Sequence, residues 1–420
     1  MHLLAPVSMI PKKTALILAL FPSLAQAGDP TDIPGNVVWL DASDPDGDGV
    51  SGGGFVNGVT WVDKSTSGLA SASQIQAMRR PQIVPGAWNG LSALRFDGND
   101  FMDVDASSFG MLNGVQGATM VAVASTIATS NQRVFMVSTG ANSAATRAGV
   151  NLFDSFGTSI GGLGDYGAAG RRLDSNPFQR IEGGNINMGE LGQYAAIFDF
   201  SAGQLELFVE GDLVTSANNF QSPGSVSPTD SVNIRVGADA NLNQVQGTLR
   251  GDLAEVLVYD RVLTELELQS LVDYLHVKWF ASPVGDNYCG PAVLNSSGSA
   301  GALMGFGSTV AMDNDLTLVA SNLPVQEFGY FLTSMDMGFV AAPMGSQGNL
   351  CLGGTIGRYV ADVASSGPAG KLLSSLDLMD MPAPVQMMVG PGETWYFQCW
   401  HRDQNPGPTS NFTEGLRVVF

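Results

Sequence analysis

The sequence predicts an all-β protein built as two sandwich-like units. Three observations carry this expectation. Only 14% of the 420 residues are charged while 44% are apolar, against about 25% charged in an ordinary domain, so the chain can cover large buried sheet faces. It holds 52 Gly and 21 Pro, the residues that close tight turns. Short runs rich in Val, Ile, Phe and Tyr recur along it, each bounded by Gly, Asn, Asp or Ser, which is how strands joined by turns read.

The N-terminus predicts export. Lys12 and Lys13 precede an apolar run from Thr14 to Leu24, and Ala25-Gln26-Ala27 supplies a small-x-small cleavage site, the order of a secretory signal peptide over residues 1–27. The run is shorter than the roughly 20 residues that span a bilayer, and no later stretch is long and apolar enough to do so. Cleavage would leave 17 basic against 39 acidic residues and move the net charge from −20 to −22. Such an acidic chain is a poor partner for nucleic acid, whose phosphates need clustered Lys and Arg. The expected product is secreted or held at the cell surface.

Residues 28–282 form the first expected unit. Strand candidates are Asn36–Leu40, Ala93–Phe96, Ala118–Ser125, Arg133–Ser138, Gln193–Phe200, Gln204–Glu210, Val232–Val236 and Asp252–Tyr259. Ser201-Ala-Gly joins two of them as a hairpin. One helix is clear. Thr264 and Glu267 have capping-box spacing, and Leu268, Leu271, Val272, Leu275 and Trp279 follow at helical intervals, a stripe suited to packing on a sheet. Ala281-Ser-Pro-Val-Gly-Asp-Asn then breaks the pattern as a linker. The second unit, residues 283–420, is again strand-like, with candidates Leu316–Ala320, Phe328–Thr333, Thr355–Val363, Val385–Val389, Glu393–Trp400 and Leu416–Phe420.

The chain has three cysteines. In Glu393-Thr-Trp-Tyr-Phe-Gln-Cys-Trp, period-2 alternation puts Trp395, Phe397 and Cys399 on one face, where a thiol behaves as a small buried hydrophobe. That leaves Cys289 and Cys351 as the expected disulfide in an exported chain.

The sharpest local motif is Asp44-Pro-Asp46-Gly-Asp48-Gly49. Alternating Asp with Gly is how a loop wraps oxygen ligands around calcium, so Asp44, Asp46 and Asp48, with Asp41 as a further ligand, are the candidate metal residues. The match to a helix–loop–helix calcium site is incomplete: Phe55 stands where the bidentate Glu belongs, and neither flank is helical. Asp97, Asn99, Asp100, Asp103 and Asp105 form a second acidic stretch with weaker spacing. Other motifs dissolve in context. Gly162-Leu-Gly164-Asp-Tyr-Gly167 lacks the helix a dinucleotide loop needs. Gly49-Val-Ser51-Gly-Gly53 and Gly157-Thr-Ser159-Ile-Gly161 lack the strand–turn–helix of a nucleophile elbow. His401-Arg402-Asp403 reads as a strand end with an Arg–Asp pair, and the alternating Leu416, Val418 and Phe420 as an ordinary closing strand. Asn295-Ser-Ser and Asn411-Phe-Thr are glycosylation sequons. No Glu-x-Asp-x-x-Glu strand motif occurs, and Asp252, Glu255 and Asp260 have the wrong spacing to replace it.

Val37-Val-Trp-Leu-Asp-Ala-Ser-Asp, Val59-Thr-Trp-Val-Asp-Lys-Ser, Leu94-Arg-Phe-Asp-Gly-Asn-Asp and, above all, Gly251-Asp-Leu-Ala-Glu-Val-Leu-Val-Tyr-Asp-Arg with its capped helix resemble the concanavalin A-like, LamG-type jelly-roll domains of bacterial exported proteins. The resemblance covers roughly residues 35–280 and implies an antiparallel two-sheet jelly roll with one edge helix. The second unit, through Asn287-Tyr-Cys-Gly-Pro-Ala, Gly345-Ser-Gln-Gly-Asn-Leu-Cys-Leu-Gly-Gly, Gly392-Glu-Thr-Trp and Thr409-Ser-Asn-Phe-Thr, resembles a C-terminal module of large exported bacterial proteins that lends no function. Such folds host lectins, adhesion modules, glucanases and spacers. With the glucanase signature absent, the expectation is a non-catalytic binding or adhesion protein for a carbohydrate or surface polymer, possessing calcium as its only candidate cofactor, with Trp61 and Trp88 as candidate ligand contacts. The alternatives are a secreted glycan hydrolase or lyase of the same fold and a structural cell-surface spacer.

Overall fold

The structure, a computed structural model, describes residues 30–127, 132–138, 149–156, 164–218, 220, 223–228, 233–240, 245–280, 283–367 and 370–420. The expected signal peptide lies outside these residues, as does the second nucleophile-type motif at 157–161. Described strands up to Tyr259 build two eight-stranded antiparallel sheets. One runs Asp212–Ala217, Gln204–Val209, Gly192–Asp199, Gly117–Ala124, Arg250–Tyr259, Leu91–Asp97, Gln82–Trp88, with Asn36–Asp41 also paired to Arg250–Tyr259. The other runs Gln179–Ile186, Gly164–Arg171, Gly149–Phe156, Gln132–Ser138, Asn233–Val236, Met102–Val104, Ala72–Ser73, Thr60–Trp61. The two pack face to face over one core that includes Leu40, Phe96, Met120, Phe135, Phe198 and Val256, the antiparallel two-sheet sandwich that the resemblance implies.

The first sheet is covered on both sides. Its far face carries the helix Glu265–Trp279, whose Leu268, Leu271, Val272, Leu275 and Trp279 are all buried against Val121, Ile197 and Leu257. The helix begins where the sequence places it: Thr264 accepts from the Glu267 amide while the Glu267 carboxylate accepts from Thr264. Arg261 grips the same carboxylate and holds its pKa down to about 2, with the Thr264 bonds helping against burial. Because this sheet is buried on two faces, its central strands Gly117–Ala124 and Arg250–Tyr259 are almost wholly inaccessible, which is why they do not read as an alternation of apolar and polar residues.

Residues 283–420 share no strand with these sheets among the described residues. A four-stranded sheet (Pro283–Val284, Ala302–Gly307, Leu316–Ser321, Leu372–Ser375) faces a seven-stranded one centred on Thr394–Gln404 and Phe328–Ser334, with a separate hairpin of Met337–Ala341 and Asn349–Leu352. Its own core holds Leu318, Phe331, Trp395, Phe397 and Cys399. Cys289 and Cys351 are bonded, with Cα atoms 6.3 Å apart, while Cys399 is free and buried. The closing strand Gly415–Val419 buries Leu416 and Val418.

Several expectations fail here for identifiable reasons. Thr355–Val363 contributes only the two-residue strand Gly357–Arg358 and then turns at Val360–Asp362 to bury Tyr359. Val385–Val389 is not a strand: Pro382 and Pro384 remove ladder donors, and Gln386 takes a left-handed backbone with φ 46°. In the first unit, Gly149–Phe156, Gly164–Arg171 and Gln179–Ile186 were not expected as strands. Gly-Asp-Tyr-Gly-Ala-Ala-Gly carries too few β-branched residues to announce one, yet Gly164 and Gly167 of the dinucleotide-like motif lie in that strand. His401-Arg402-Asp403 lies near the end of the strand Thr394–Gln404, as expected, but without the expected Arg–Asp pair. Arg402 lies over Phe328, and Asp403 takes the Ser296 and Gln404 amides instead of pairing with Arg402. The asparagines of both sequons are buried, with the side-chain amides of Asn295 and Asn411 spent on backbone carbonyls, so neither is open to modification once folded.

The disulfide closes a loop of 62 positions, so a Cys289→Ser, Cys351→Ser variant should lose about 2–4 kcal/mol of stability in the second unit. Calorimetry should show that transition falling while a first-unit transition stays in place.

Candidate functional site

The site grows from one misfit residue. Arg250–Tyr259 is buried on both faces, and Glu255 is its one carboxylate beyond Asp252. Leu253, Val256 and Val258 enter the core between the sheets, whereas Ala254, Leu257 and Tyr259 face the helix. A register shift between Leu253 and Glu255 is the kind of bulge that re-aims a side chain. It leaves Glu255 on the helix side, fully buried.

There the carboxylate collects four donors. Trp39 Nε1 donates at 2.6 Å, Trp279 Nε1 at 2.7 Å, Lys278 Nζ at 2.8 Å and the Tyr274 hydroxyl at 3.1 Å. Three of these come from the last turns of the helix, so Glu255 is also what pins that end to the sheet. Asp41, paired directly opposite Glu255 on the neighbouring strand, is reached by the same Lys278 at 2.8 Å. Lys64 then joins Asp41 at 2.9 Å to Asp44 at 2.8 Å. The result is an alternating series, Asp44–Lys64–Asp41–Lys278–Glu255, in which each lysine spans two carboxylates.

The two central acids are driven apart. Burial pushes both carboxyls up. At Asp41 the charges of Lys278 and Lys64 overcome it and hold the group well below its ordinary range. At Glu255 burial wins, aided by the neighbouring Asp41 charge and opposed by Lys278, so the group stays above its ordinary value. Burial also works against the Lys64 ammonium, but Asp41 and Asp44 outweigh it and raise its pKa.

Asp41, Lys64 and Lys278 floor a cleft of about 910 Å³ between the first unit and the four-stranded sheet of the second. Trp39, Tyr274 and Asn89 stand beside them; Met304, Phe306, Val319 and Leu373 form the opposite wall. The volume lies in the range of small-ligand sites, roughly 300–1,000 Å³.

The sequence-predicted residues divide around this cleft. Asp44, Asp46 and Asp48 do converge, with one oxygen of each within 4.8 Å of the others. Asp44 is already committed: its carboxylate takes the amides of Asp48 and Gly49 and the Lys64 ammonium. Asp41 belongs to the lysine series and not to the loop. Of the other two, Asp48 accepts from the Val50 amide and Asp46 keeps a buried Oδ1 with no hydrogen-bond partner. Trp61 is wholly buried, with its Nε1 on the Asp41 carbonyl, and offers a ligand no surface. Trp88 is half-buried and donates to Asp252 at 3.0 Å, beside the Arg95–Asp252 ion pair; neither tryptophan lines the cleft. In the second acidic stretch, Asp103 pairs with Arg235, Asp105 caps a short turn, and Asp100 takes the Asp97 amide. Glu255 and Lys278 are the functional residues that motif matching missed.

Two outcomes follow. Lys278→Met, which takes the ammonium from Glu255 and one of two from Asp41, should cost about 3–5 kcal/mol in urea unfolding, and adding Glu255→Gln should restore part of it. The Asp41 contribution is complete above its ordinary value of 3.8 and is lost as pH falls through its lower folded-state value, so the Asp41→Asn variant should show a shallower acid limb below pH 3.8.

Among solved structures, the chain is similar to the IT-sialidase CBM40 of Ruminococcus gnavus bound to alpha2,3 sialyllactose, at 19% identity over 38% of this chain and 84% of that one, with a TM-score of 0.32. The SAP-like pentraxin of Limulus polyphemus matches at 13% identity over 38% and 71%, TM-score 0.32, and the sialidase of Trypanosoma rangeli at 14% over 61% and 36%, TM-score 0.38. No curated protein matches the chain. Residues 103–269, which include the central strands and the start of the helix, match the family model of the concanavalin A-like lectin/glucanases superfamily.

Proposed function

We propose that this is an exported, non-catalytic carbohydrate-binding protein whose ligand enters the cleft floored by Asp41, Lys64 and Lys278. The cleft carries the reading. Its polar groups are fixed in position by buried ion pairs, and aromatic and apolar side chains stand within the same space. Sugars need that combination: rigid donors and acceptors for hydroxyls and apolar surface for the ring face. A match to a family described as lectins and glucanases supports the ligand class, and the basic, apolar and small-residue order of residues 12–27 supports export.

A hydrolase is the second reading, favoured by one observation: Asp41 and Glu255 are adjacent carboxyls whose environments separate their pKa values, as in acid–base pairs. Burial weighs against it. Glu255 is wholly inaccessible and both its oxygens are occupied, so it cannot pass a proton to a glycosidic oxygen.

A glycan array probed with the full chain, with and without calcium, should show retention of a defined set of glycans in both conditions. The retained glycans, incubated with the protein, should release no new reducing ends. Absence of any retained glycan would sink the binding reading, and steady release of reducing ends would favour the hydrolase.

A further inference from the structure

The two walls of the cleft differ in chemistry, and the difference specifies a ligand. The first-unit wall is polar and locked, since Lys64 and Lys278 each span two carboxylates at 2.8–2.9 Å. The second-unit wall is an apolar stripe. On the strand Ala302–Gly307, alternation turns Leu303 into the core and Met304 and Phe306 toward the cleft. Met304 sits opposite Val319, and Val319 opposite Leu373, in one cross-strand row. Met304 remains 43% exposed, a large apolar side chain that the fold itself does not cover.

The distribution of lysine is equally specific. The chain has five, Lys12, Lys13, Lys64, Lys278 and Lys371, and the three beyond the N-terminal segment all line this cleft. They do not make it basic. Lys64 and Lys278 are consumed by Asp41, Asp44 and Glu255, and because Asp63 lines the cleft too, the three lysines do not outnumber the acids. The protein around them carries a net charge of −20. A polyanion would meet no uncompensated positive charge and a repulsive field.

Taking the carbohydrate reading as its basis, we propose that the cleft is a composite site in which an uncharged polysaccharide chain lies between the two units, its sugar rings stacked on the second unit's Phe306–Met304 stripe and its hydroxyls bonded at the first unit's polar wall, where Lys64 spends two of its three N–H donors on Asp41 and Asp44. The second unit is thereby half of the site. Because the polar wall is already held by its own ion pairs, little side-chain freedom is lost on binding.

The test uses the full chain and calorimetric titration with soluble unsubstituted glucan, mannan and galactan, with polygalacturonate and dextran sulfate as anionic probes and chitosan as the cationic one. At least one neutral polymer should bind, with an affinity that changes less than about twofold between about 0.05 M and about 0.5 M salt. Phe306→Ala should weaken it about tenfold or more, and Phe306→Tyr should retain it. In the unmodified protein, amine acylation followed by peptide mass analysis should show Lys371 protected when the neutral polymer is bound, a readout that does not depend on any variant folding. Preference for an anionic or cationic polymer with steep salt dependence overturns the assignment of an uncharged ligand. Neutral-polymer binding with Lys371 still acylated and Phe306→Ala unaffected overturns the composite site while leaving the carbohydrate reading standing. Binding of no polymer overturns both.

Discussion

One buried carboxylate organises this molecule. Glu255 lies in a central strand of the first unit, buried on both faces, and would be prohibitively costly there without partners. Its four donors come from three places in the chain: Trp39 on the neighbouring strand, Tyr274 and Lys278 near the end of the helix, and Trp279 at its last position. Satisfying that one group fixes the helix terminus on the sheet. Lys278 then carries the constraint outward to Asp41, and Lys64 carries it on to the Asp44–Gly49 loop. Buried ion pairs of this kind add little net stability over an apolar core of the same shape. What they supply here is position: charged atoms held within hydrogen-bond distance of each other at the bottom of a cleft.

The same series reaches the acidic loop. Its first carboxylate, Asp44, meets the Lys64 ammonium at 2.8 Å and takes the amides of Asp48 and Gly49, which ties that end of the loop to the cleft.

Much of the fold was legible in the residues. The capping box at Thr264 and Glu267 and the stripe from Leu268 to Trp279 specified the helix and its buried face, because both signals are local. Cys399 was readable as buried from its alternation with Trp395 and Phe397, which left Cys289 and Cys351 as partners. The Gly-rich strands between Gly149 and Ile186 were not legible, since pairing with neighbours far along the chain supplies what their own side chains lack. The site was barely legible. Its cue was a Glu within Leu253-Ala-Glu-Val-Leu-Val-Tyr259, a charge that a wholly buried strand cannot carry alone. Motif spacing passed over it because its partners are Trp39, Tyr274 and Lys278, brought together only by the sheet and the helix. Tryptophan, for its part, misled: Trp61 and Trp88 are spent on structure, while Trp39 borders the cleft.

The central claim is that both units contact one ligand in the cleft. Amide hydrogen exchange of the full chain, with and without the neutral polysaccharide it binds, tests this most directly. Slowed exchange should appear together in the loop from Asp41 to Lys64 and in the strand Ala302–Gly307. Slowing confined to the strands Gly149–Phe156, Gly164–Arg171 and Gln179–Ile186, with both of those segments unchanged, would contradict the account.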